Sequence, residues 1–295
     1  MLLTGAPIKQ KIKDDLRLYI EALLHGSQKD SEGVGVAVPH LGIIMVGENP
    51  RSRVYIEQKI KFAHSIGARA TLYEFPETIT SVDLCREVEK LGSNTDIHGI
   101  IIQMPLPTHF SMEDTRKVID AVPVQKDADG LTAINTGHLA AGYKNTIIPA
   151  TSRGILELFH HYTIELDGKH VVVIGRSNLV GKPTALSVLE RGATVTICHS
   201  KTKNLKEIVL QADIVISATG IPKLITADMV HKGQFLIDVG ITIDGAGKIS
   251  GDIDTIEVEK CVAGISPVPG GVGPLTVSGL FLNLIDLYKK QSISK

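Results

Sequence analysis

The fold of this chain is decided by the segment Val171-Val172-Val173-Ile174-Gly175-Arg176-Ser177-Asn178-Leu179-Val180-Gly181-Lys182-Pro183. Four β-branched residues predict a buried strand, Gly175 predicts a tight turn, and a helix is predicted near Lys182–Glu190. In such a strand–turn–helix arrangement the backbone N–H groups and the helix dipole can accept a phosphate. Gly175 and Gly181 do not complete the GxGxxG pattern, so an ordinary strand-to-helix turn stays an alternative. The segment predicts the start of a dinucleotide-binding sheet.

The residues after the next predicted strand, Thr194–Cys198, indicate which nicotinamide cofactor this sheet binds. NAD-binding sheets usually place an Asp or Glu there, where it binds the adenosine ribose hydroxyls. This chain has Cys198-His199-Ser200-Lys201 at that place and no acid. Arg176, Ser200 and Lys201 supply donors and positive charge for a 2′-phosphate, which a carboxylate would repel. We therefore predict NADP rather than NAD.

Strands and helices alternate on both sides of this segment, and such alternation predicts parallel sheets. Downstream, two more strands are predicted at Ile214–Ser217 and Phe235–Val239. The upstream pattern is β-α-β-α-β, with elements predicted at Leu41–Val46, Arg51–Ile66, Thr71–Phe75, Ser81–Leu91 and Gly99–Gln103. We predict an α/β fold of two lobes, an N-terminal α/β catalytic domain and a Rossmann-like NADP-binding domain.

The domain boundary is predicted near Asn145–Arg153, a polar stretch that contains Pro149. A length of 295 residues fits two domains. The last predicted helix, Thr276–Lys289, follows the second sheet and is expected to return to the first domain. We assign residues 1–148 and 276–295 to the first domain and residues 149–275 to the NADP-binding domain.

Composition and charge exclude several classes of function. The formal net charge of −1 gives no overall field to attract nucleic acid or an anionic membrane, and the chain has no Trp for stacking bases. No segment reaches the roughly 18 apolar residues of a membrane span. Three cysteines form no CxxC motif, and eleven histidines form no HExxH motif or zinc spacing. We expect free thiols, no metal, no nucleic acid or membrane partner, and a cytoplasmic location.

A polar stripe on the predicted helix Arg51–Ile66 is the first candidate for chemistry. Arg51, Tyr55 and Lys59 recur every four residues, opposite apolar residues such as Ile56. A solvated helix face gives the same pattern, because lysines usually lie in water. The alternative is that Tyr55 and Lys59 converge on one ligand. Desolvation in a partly apolar cleft would lower the pKa of the lysine, which could then transfer protons near neutral pH.

Three further segments are candidates for a ligand site. Gln103 ends an apolar strand just before a proline-containing loop, where α/β sheets bind ligands, although its amide could equally satisfy loop carbonyls. The turn Lys126–Gly130 carries two carboxylates, which form either an exposed bend or a partner for the N–H donors of a planar heterocycle. The loop Ile265–Thr276 is rich in proline and glycine, so it is either a rigid connector or a surface that a flat ring can approach closely.

Together these segments resemble the bifunctional methylenetetrahydrofolate dehydrogenase/methenyltetrahydrofolate cyclohydrolase family. The resemblance runs in order along nearly the whole chain, and its last motif is highly specific. The matching segments are Gly47-Glu48-Asn49-Pro50-Arg51-Ser52 through Tyr55-x-x-x-Lys59, Gln103-Met104-Pro105-Leu106-Pro107, Lys126-Asp127-Ala128-Asp129-Gly130, Gly175-Arg176-Ser177, Cys198-His199-Ser200 and Pro267-Val268-Pro269-Gly270-Gly271-Val272-Gly273-Pro274.

The resemblance implies roles for individual residues. Lys59 would be the main catalytic residue, with Tyr55 packed beside the folate and assisting it. Gln103 would tune the lysine, and Asp129 would bind the pterin, so that all four residues contact the substrate. The other implied ligand contacts are Pro269, Gly270 and Gly273 for the folate, and Gly175, Arg176, Ser177, Ser200, Thr151 and Ile241 for NADP.

The resemblance also implies an activity and an assembly. Hydride transfer from methylenetetrahydrofolate to NADP would give methenyltetrahydrofolate, which water would convert to formyltetrahydrofolate in the same cleft. These reactions belong to one-carbon metabolism, which serves purine biosynthesis. The family resemblance implies a homodimer formed through the nucleotide lobes. The alternatives are a dehydrogenase without the hydrolase activity and a noncatalytic folate- or nucleotide-binding protein, which the fold alone would not exclude.

The chain departs from the family pattern in three places. Pro149-Ala150-Thr151-Ser152-Arg153-Gly154 stands where the family commonly has Pro-Cys-Thr-Pro-x-Gly, so the backbone there is expected to be less constrained. The loop Gly26–Pro39 is longer than usual, and Leu275 replaces the customary Met. Neither of the last two departures touches the expected chemistry.

Overall fold

A computed structural model describes residues 1–26, 37–243, 247 and 249–293 of the chain. Most of the predicted loop Gly26–Pro39 lies outside the described residues, and so does the side chain of Arg51. The first elements are α1 (Ala6–Gly26), β1 (His40–Val46), α2 (Pro50–Ser65), β2 (Arg69–Phe75), α3 (Ser81–Gly92), β3 (Gly99–Ile102), α4 (Met112–Asp120), α5 (Ala133–Ala140) and α6 (Ala150–His161).

The remaining elements continue the alternation of strands and helices. They are β4 (His170–Ile174), α7 (Gly181–Leu189), β5 (Thr194–Cys198), α8 (Leu205–Leu210), β6 (Ile214–Ser217), β7 (Phe235–Asp238), β8 (Thr242–Ile243), β9 (Ile249–Ser250), α9 (Thr255–Val258), β10 (Gly264–Ile265) and α10 (Gly273–Ile293). The strands predicted at Thr194–Cys198 and Ile214–Ser217 are confirmed with the same bounds, and the other predicted strands differ by one or two residues.

The chain divides into two compact units, each built around a parallel sheet. The first, called here the three-strand unit, comprises Lys11–His138, Asn145–Ile147 and Leu280–Lys295. Its sheet has the order β2-β1-β3, with both pairs of strands parallel. The central strand β1 is buried along its whole length, as a parallel strand covered on both faces should be. The carboxyl ends of β1 and β3 therefore meet at one edge of this sheet.

The second unit, called here the five-strand unit, comprises Met1–Gln10, Leu139–Lys144 and Ile148–Gly279. Its sheet has the order β10-β7-β6-β4-β5, and every neighbouring pair is parallel. The predicted segment at residues 171–174 forms the buried strand β4. Chain order reverses next to β4, because β5 lies on one side and β6 on the other; such switch points are where α/β sheets bind ligands.

One inner strand of each sheet, β1 and β4, begins with a histidine, and the two histidines make the same kinds of contact. In β1, His40 Nδ1 donates to the Asp96 carbonyl oxygen at 3.0 Å, and its Nε2 contacts Thr71 Oγ1 at 2.8 Å. In β4, His170 contacts the Gln211 carbonyl oxygen at 3.0 Å and Thr196 Oγ1 at 2.9 Å. Each ring thus ties the amino end of its strand to both neighbouring strands.

The last helix confirms the predicted return to the first domain. The part of α10 from Leu280 onward belongs to the three-strand unit, where Phe281 packs on Phe62 with ring centroids 5.0 Å apart. The side chain of Asn283 donates to the Ala128 carbonyl oxygen at 2.8 Å. The helix begins at Gly273 rather than the predicted Thr276. Pro274 is compatible with this start, because the first helical turn needs no N–H donor from it.

Candidate active site and nucleotide-binding loops

Helix α2 presents the predicted lysine at the carboxyl edge of the three-stranded sheet. The helix is capped by Asn49, whose Oδ1 accepts from the Ser52 backbone N–H at 3.1 Å. Ile56 is buried on the core side, while Tyr55 is 46% exposed and Lys59 is half-buried. The prediction that Tyr55 and Lys59 share a face opposite the apolar residues agrees with these exposures. Tyr55 therefore has an aromatic surface free to meet a ligand.

Lys59 is held by the glutamine at the end of β3. Its Nζ donates to Gln103 Oε1 at 2.9 Å. The orientation of this amide is set by its other end, because Gln103 Nε2 donates to the Met104 carbonyl oxygen at 2.9 Å. In a flipped amide, Nε2 would face the donor Lys59 Nζ and Oε1 would face the acceptor Met104 carbonyl oxygen, so both hydrogen bonds would be lost. Gln103 thus satisfies a loop carbonyl, as one interpretation predicted, and also holds the lysine, while its contact with a ligand stays a prediction.

The two carboxylates of the Lys126–Gly130 turn have different roles. Asp127 is buried and accepts from the backbone N–H groups of Gly130 at 2.8 Å and Thr132 at 2.9 Å. It also accepts from Asn135 Nδ2 at 2.8 Å. These bonds fold the turn, so Asp127 is structural. Asp129, two residues later, is only half-buried, and it is the carboxylate that interacts with the charge of Lys59.

The electrostatics of this site bring the two titrating groups towards neutral pH. Burial lowers the pKa of the Lys59 ammonium, and the negative charge of Asp129 opposes this effect. Burial raises the pKa of Asp129 to about 6, with Lys59 opposing the shift and Asp127 adding to it. Both shifts disfavour the charged form, as desolvation requires. An amine with a lowered pKa beside a carboxyl group with a raised pKa suits proton transfer.

In the five-strand unit, the turn after β4 brings backbone atoms unusually close together. Gly175 has φ +125°, and a Cβ at this position would lie 2.4 Å from the Ala218 carbonyl oxygen. A Cβ at Gly181 would lie 2.2 Å from the Gly175 carbonyl oxygen. Only glycine fits at either place, although the motif is not GxGxxG. Ser177 Oγ accepts from the Gly181 N–H at 3.3 Å, so its own hydroxyl proton is available for a phosphate oxygen.

Arg176 and Ser200 lie at the same edge of the five-stranded sheet. Ile174 pairs with Cys198 in the β4–β5 register, and each candidate follows its paired residue by two positions. Both are exposed. The turn after β5 is preformed, since His199 donates its N–H to Thr202 Oγ1 at 2.9 Å. This exposed positive and hydroxyl-bearing edge, next to the glycine turn, fits a dinucleotide with a phosphorylated ribose.

The remaining cofactor candidates also lie in the five-strand unit. Ile241 follows β7 and is 46% exposed. Thr151 lies in the first turn of α6 and its Oγ1 is 3.5 Å from Thr276 Oγ1. The neighbouring departure from the family pattern is compensated here, because the buried Ser152 hydroxyl lies 2.8 Å from Thr184 Oγ1 on α7. This contact tethers α6 to the helix that starts at the glycine turn, so the expected loosening of the backbone is limited.

The proline- and glycine-rich loop is held by backbone bonds within the five-strand unit. Gly5 donates its N–H to the Gly270 carbonyl oxygen at 2.8 Å, and Gly271 donates to the Pro267 carbonyl oxygen at 2.7 Å. Pro269 and Gly273 are exposed, and added Cβ atoms on Gly270 and Gly273 would meet nothing within 4 Å. The loop is therefore both rigid and open. The structure places Lys59, Gln103 and Asp129 together in one unit and Pro269, Gly270 and Gly273 in the other.

Sequence patterns alone missed the residues that support this site. Asn135 and Thr132, which help to fold the Asp127 turn, carry no recognisable spacing. Ser52 is buried and its hydroxyl donates to the Met104 carbonyl oxygen at 3.4 Å, beside Gln103. The signal that could have found Ser52 is its position one turn before Tyr55 on the same helix. Among the described residues no cluster of His, Cys, Asp or Glu could hold a metal ion.

Two family models match this chain. Residues 3–129 match the catalytic domain of tetrahydrofolate dehydrogenase/cyclohydrolase, and residues 149–292 match the NAD(P)-binding domain of the same family. A curated relative, the bifunctional protein FolD of Sulfurihydrogenibium sp. (strain YO3AOP1), is 44% identical over 295 residues, covering 99% of each chain. The protein of that name from Bacillus cytotoxicus is 45% identical over 253 residues, 86% of this chain and 87% of its own.

Solved structures agree with the sequence comparison. The bifunctional methylenetetrahydrofolate dehydrogenase/cyclohydrolase of Campylobacter jejuni superposes with a TM-score of 0.91 at 38% identity, covering 98% of this chain and 99% of its own. The Trypanosoma brucei enzyme, solved with NADP cofactor and an inhibitor, gives a TM-score of 0.90 at 33% identity, with coverage of 100% and 99%.

Proposed function

This chain belongs to the tetrahydrofolate dehydrogenase/cyclohydrolase family, and from that premise we propose that a single lysine-centred site at Lys59 serves both reactions of the family. The chain oxidises methylenetetrahydrofolate to methenyltetrahydrofolate with NADP and hydrolyses the product to formyltetrahydrofolate, in one-carbon metabolism. The observation that carries the proposal is the hydrogen bond of 2.9 Å from Lys59 to Gln103, beside the half-buried Asp129.

Substrate binding is assigned to the same three side chains and to Tyr55. The exposed ring of Tyr55 packs against the folate, since an aromatic face is well suited to a flat conjugated group. Asp129 pairs with N–H donors of the pterin, and its raised pKa lets it do so either as a carboxylate or as a carboxylic acid. The exposed Pro269 and the side-chain-free backbone of Gly270 and Gly273 supply a surface for the folate.

The dehydrogenase step depends mainly on positioning. NADP, when bound, supplies the hydride acceptor. Gly175 leaves room for the pyrophosphate at the start of α7, Ser177 donates to a phosphate oxygen, and Arg176 and Ser200 bind the 2′-phosphate. Thr151 and Ile241 hold the remainder of the cofactor. The substrate must be held so that its methylene carbon faces the acceptor, and such orientation alone is worth several kcal/mol, roughly 7–11 in the best cases.

The hydrolysis step requires a group that moves protons without a metal. Water attacks the methenyl carbon and forms a C–O bond, and the neutral Lys59 amine accepts one proton from the water. The bond from that carbon to one folate nitrogen then breaks, and Lys59 returns its proton to the departing nitrogen. The second proton of the water leaves to solvent as the formyl group forms. Gln103 holds the amine in place throughout, because its amide oxygen accepts from Nζ.

The test replaces Lys59 with Met, which keeps the length of the side chain and removes the amine. We expect cyclohydrolase activity to fall by about 100-fold or more, the usual contribution of a positioned acid–base group. NADP binding should stay within about twofold, because the cofactor residues are untouched. Lys61→Met is the matched control, since Lys61 lies on the same helix, is exposed and only pairs with Glu57 at 3.7 Å.

The outcomes of this test are sharp. Cyclohydrolase activity is followed as loss of methenyl absorbance without cofactor, and dehydrogenase activity as NADPH formation from methylenetetrahydrofolate. Unchanged hydrolysis in Lys59→Met would remove the lysine from the mechanism. A wild-type chain that forms NADPH without hydrolysing methenyltetrahydrofolate would instead be a monofunctional dehydrogenase; the presence of both Lys59 and Gln103 argues against that reading.

The domain assignment, the assembly and the location are also part of the proposal. We assign residues 1–148 with 276–295 to the folate-binding catalytic domain and residues 149–275 to the Rossmann-like NADP-binding domain. The protein acts in the cytoplasm as a homodimer, which is the assembly that the family resemblance implies. Light scattering should then give twice the chain mass of 31.7 kDa. A mass equal to one chain at micromolar concentration would contradict the dimer. No helix of the described residues could cross a membrane.

A further inference from the structure

Two buried carboxyl groups of the five-strand unit have no part in the mechanism above. Asp238 ends β7 and is 1% exposed, and Asp252 follows β9 and is fully buried. Each side chain lies against a different glycine, Asp252 against Gly240 and Asp238 against Gly251. A Cβ on Gly240 would be 1.8 Å from Asp252 Oδ1, and a Cβ on Gly251 would be 2.0 Å from Asp238 Oδ2. Two buried carboxyl groups in one small space are costly, so their retention needs an explanation.

Asp252 fastens the loop that follows β6. Its Oδ2 accepts from Ser217 Oγ at 2.9 Å, from the Thr219 backbone N–H at 2.6 Å and from Thr219 Oγ1 at 2.8 Å. Ala218 lies between these two donor residues. Its carbonyl oxygen is so close to Gly175, in the turn after β4, that a Cβ on Gly175 would lie 2.4 Å from it. The three bonds to Asp252 therefore set the position of the backbone against which the glycine turn packs.

Asp238 fastens the loop that follows β7 and the segment that carries Asp252. Its Oδ1 accepts from the N–H groups of Gly240 at 3.2 Å and Asp252 at 3.0 Å, and its Oδ2 accepts from the Ile253 N–H at 2.9 Å. Gly240 directly precedes Ile241, one of the cofactor candidates. The two carboxyl groups together thus connect the loops after β6 and β7 at the edge where the cofactor residues lie.

We propose that Asp252, together with Asp238, is a positioning residue for NADP: the pair fixes the loops after β6 and β7 so that Ala218 and Ile241 hold their places beside the cofactor. The inference rests on the proposed function only in taking this edge of the sheet as the NADP site. Neither carboxyl group contacts the cofactor, because both are buried beneath these loops.

The protonation of the pair supports this role. Burial raises the pKa of Asp238 to about 7, and the neighbouring Asp252 contributes to the rise. Asp252 Oδ1 is buried and has no hydrogen-bond partner among the described residues. Asp254, two residues further along the chain, is paired with Lys223 at 2.8 Å. Protonation of Asp238 removes the repulsion between two neighbouring buried charges.

The experiment compares Asp252→Ala and Asp252→Asn in the full-length chain. We expect Asp252→Ala to raise the KM and the Kd for NADP by about tenfold or more, the loss expected when several hydrogen bonds to a charged group are removed. Cyclohydrolase activity measured without cofactor should stay within about twofold, because Lys59 lies in the other unit. Asp252→Asn should recover most of the NADP affinity, since its amide oxygen can accept the same bonds.

The matched control is Gln234→Ala. Gln234 is fully buried at the opposite, amino end of β7, where its Nε2 donates to the carbonyl oxygens of Val209 and Ala212, both at 2.7 Å. This change should lower the melting temperature as Asp252→Ala does and leave the KM for NADP within about twofold. If Gln234→Ala weakens NADP equally, the effect of Asp252 is general destabilisation and the proposal fails.

A second variant keeps the test decisive if Asp252→Ala does not fold. Ser217→Ala removes one donor to Asp252 and should raise the Kd for NADP by about threefold. An unchanged Kd for NADP in Asp252→Ala overturns the inference. If that variant does not fold, an unchanged Kd in Ser217→Ala overturns it. Because the Kd is measured by calorimetry, it does not depend on turnover. A wild-type chain that binds NADP but catalyses neither reaction would refute the proposed function and leave this inference open to the same measurement.

Discussion

At the scale of single residues, the proposed chemistry depends on Lys59, whose ammonium form is disfavoured by burial. The lysine was found from its four-residue spacing to Tyr55, but its partner came from a different part of the chain. Gln103 is 44 positions away along the sequence and reaches Lys59 because β3 ends beside α2. The amide carries no charge, so it stabilises the ammonium less than a carboxylate in its place would. Burial lowers the pKa of Lys59, and the charge of Asp129 opposes this effect.

Replacing Gln103 by Glu should reverse that effect. A carboxylate about 3 Å from Nζ would favour the ammonium and raise the pKa of Lys59 by one unit or more, as opposite charges at this distance do. The neutral amine is the base, so the pH at which cyclohydrolase activity reaches half its plateau should move upward by roughly one unit. The measurement is a pH profile of kcat/KM for methenyl hydrolysis.

Gln103→Leu serves as the control for this prediction. It removes the hydrogen bond without adding charge, so activity should fall while the midpoint of the profile does not move upward. A Gln103→Glu enzyme with the wild-type midpoint would show that this position has no electrostatic influence on Lys59.

The second residue-scale prediction concerns Arg176. Arg176→Ala should weaken NADP by about 10- to 100-fold, because a charge-assisted bond to the 2′-phosphate is lost, and should change NAD little. Calorimetry with both cofactors measures this, with Lys232→Ala as the control at an exposed position near the amino end of β7. Equal losses of NADP and NAD would refute the assignment of Arg176 to the 2′-phosphate.

At the scale of elements, one inner strand of each sheet, β1 or β4, is secured at its amino end by a histidine. Neither His40 nor His170 was singled out by sequence pattern, since a lone histidine before an apolar strand has no distinctive spacing. The two histidines are seen to be equivalent only in the strand register, which pairs the residue two positions after each histidine with a threonine: Gly42 with Thr71 and Val172 with Thr196. Because the Nδ1 atom of His40 faces a carbonyl oxygen, it must carry a proton, and Nε2 is then free to accept from Thr71.

This arrangement predicts a loss of stability in mild acid. Burial lowers the pKa of His40, with Arg69 acting in the same direction and Asp96 opposing both. The unfolded chain therefore binds the proton more readily than the folded one, so the free energy of unfolding is highest above the unfolded pKa of about 6.5 and falls below it. His40→Gln should be less stable at pH 7.5 and should lose less stability between pH 7.5 and 5 than the wild type.

Urea denaturation of the wild type and of His40→Gln, followed by circular dichroism at pH 7.5 and at pH 5, gives the midpoint of unfolding of each protein. His170→Gln is the geometric match, with the same contacts at a half-buried position in the other unit. If the urea midpoint falls by the same amount in the wild type and in His40→Gln between pH 7.5 and 5, the titration of His40 does not contribute to the loss of stability in acid.

At the scale of the whole molecule, ligand binding and stability are linked. NADP that binds the folded chain and not the unfolded chain stabilises it by about 2.7 kcal/mol at 100 times its Kd. The unfolding temperature should therefore rise with NADP concentration, and rise less with NAD at the same concentration. Differential scanning fluorimetry measures both shifts. Arg176→Ala should abolish the difference between the two cofactors, and a wild-type chain with equal shifts would contradict the preference for NADP.

The alternation of strands and helices, the positions of β5 and β6 and the glycine turn after β4 could all be predicted from the sequence. Those features are local, because burial on two faces and backbone approach restrict residue type at each position. The family resemblance further predicted Lys59, Gln103 and Asp129 by name. Helix ends were predicted less well, and α10 begins at Gly273 rather than at the predicted Thr276. A proline is permitted in the first turn of a helix, but in a sequence it also indicates a loop.

By itself, the sequence predicted the two-lobe α/β organisation, which follows from periodicity and residue type, and the family resemblance implied the role proposed for Lys59. Only the tertiary structure decided which carboxylate of the Lys126–Gly130 turn faces the lysine and which folds the loop. It alone brought Asp238 and Asp252 together and set the tether from Ser152 to Thr184. These are contacts between distant segments, and their partners are chosen by packing in three dimensions, which no spacing along the chain records.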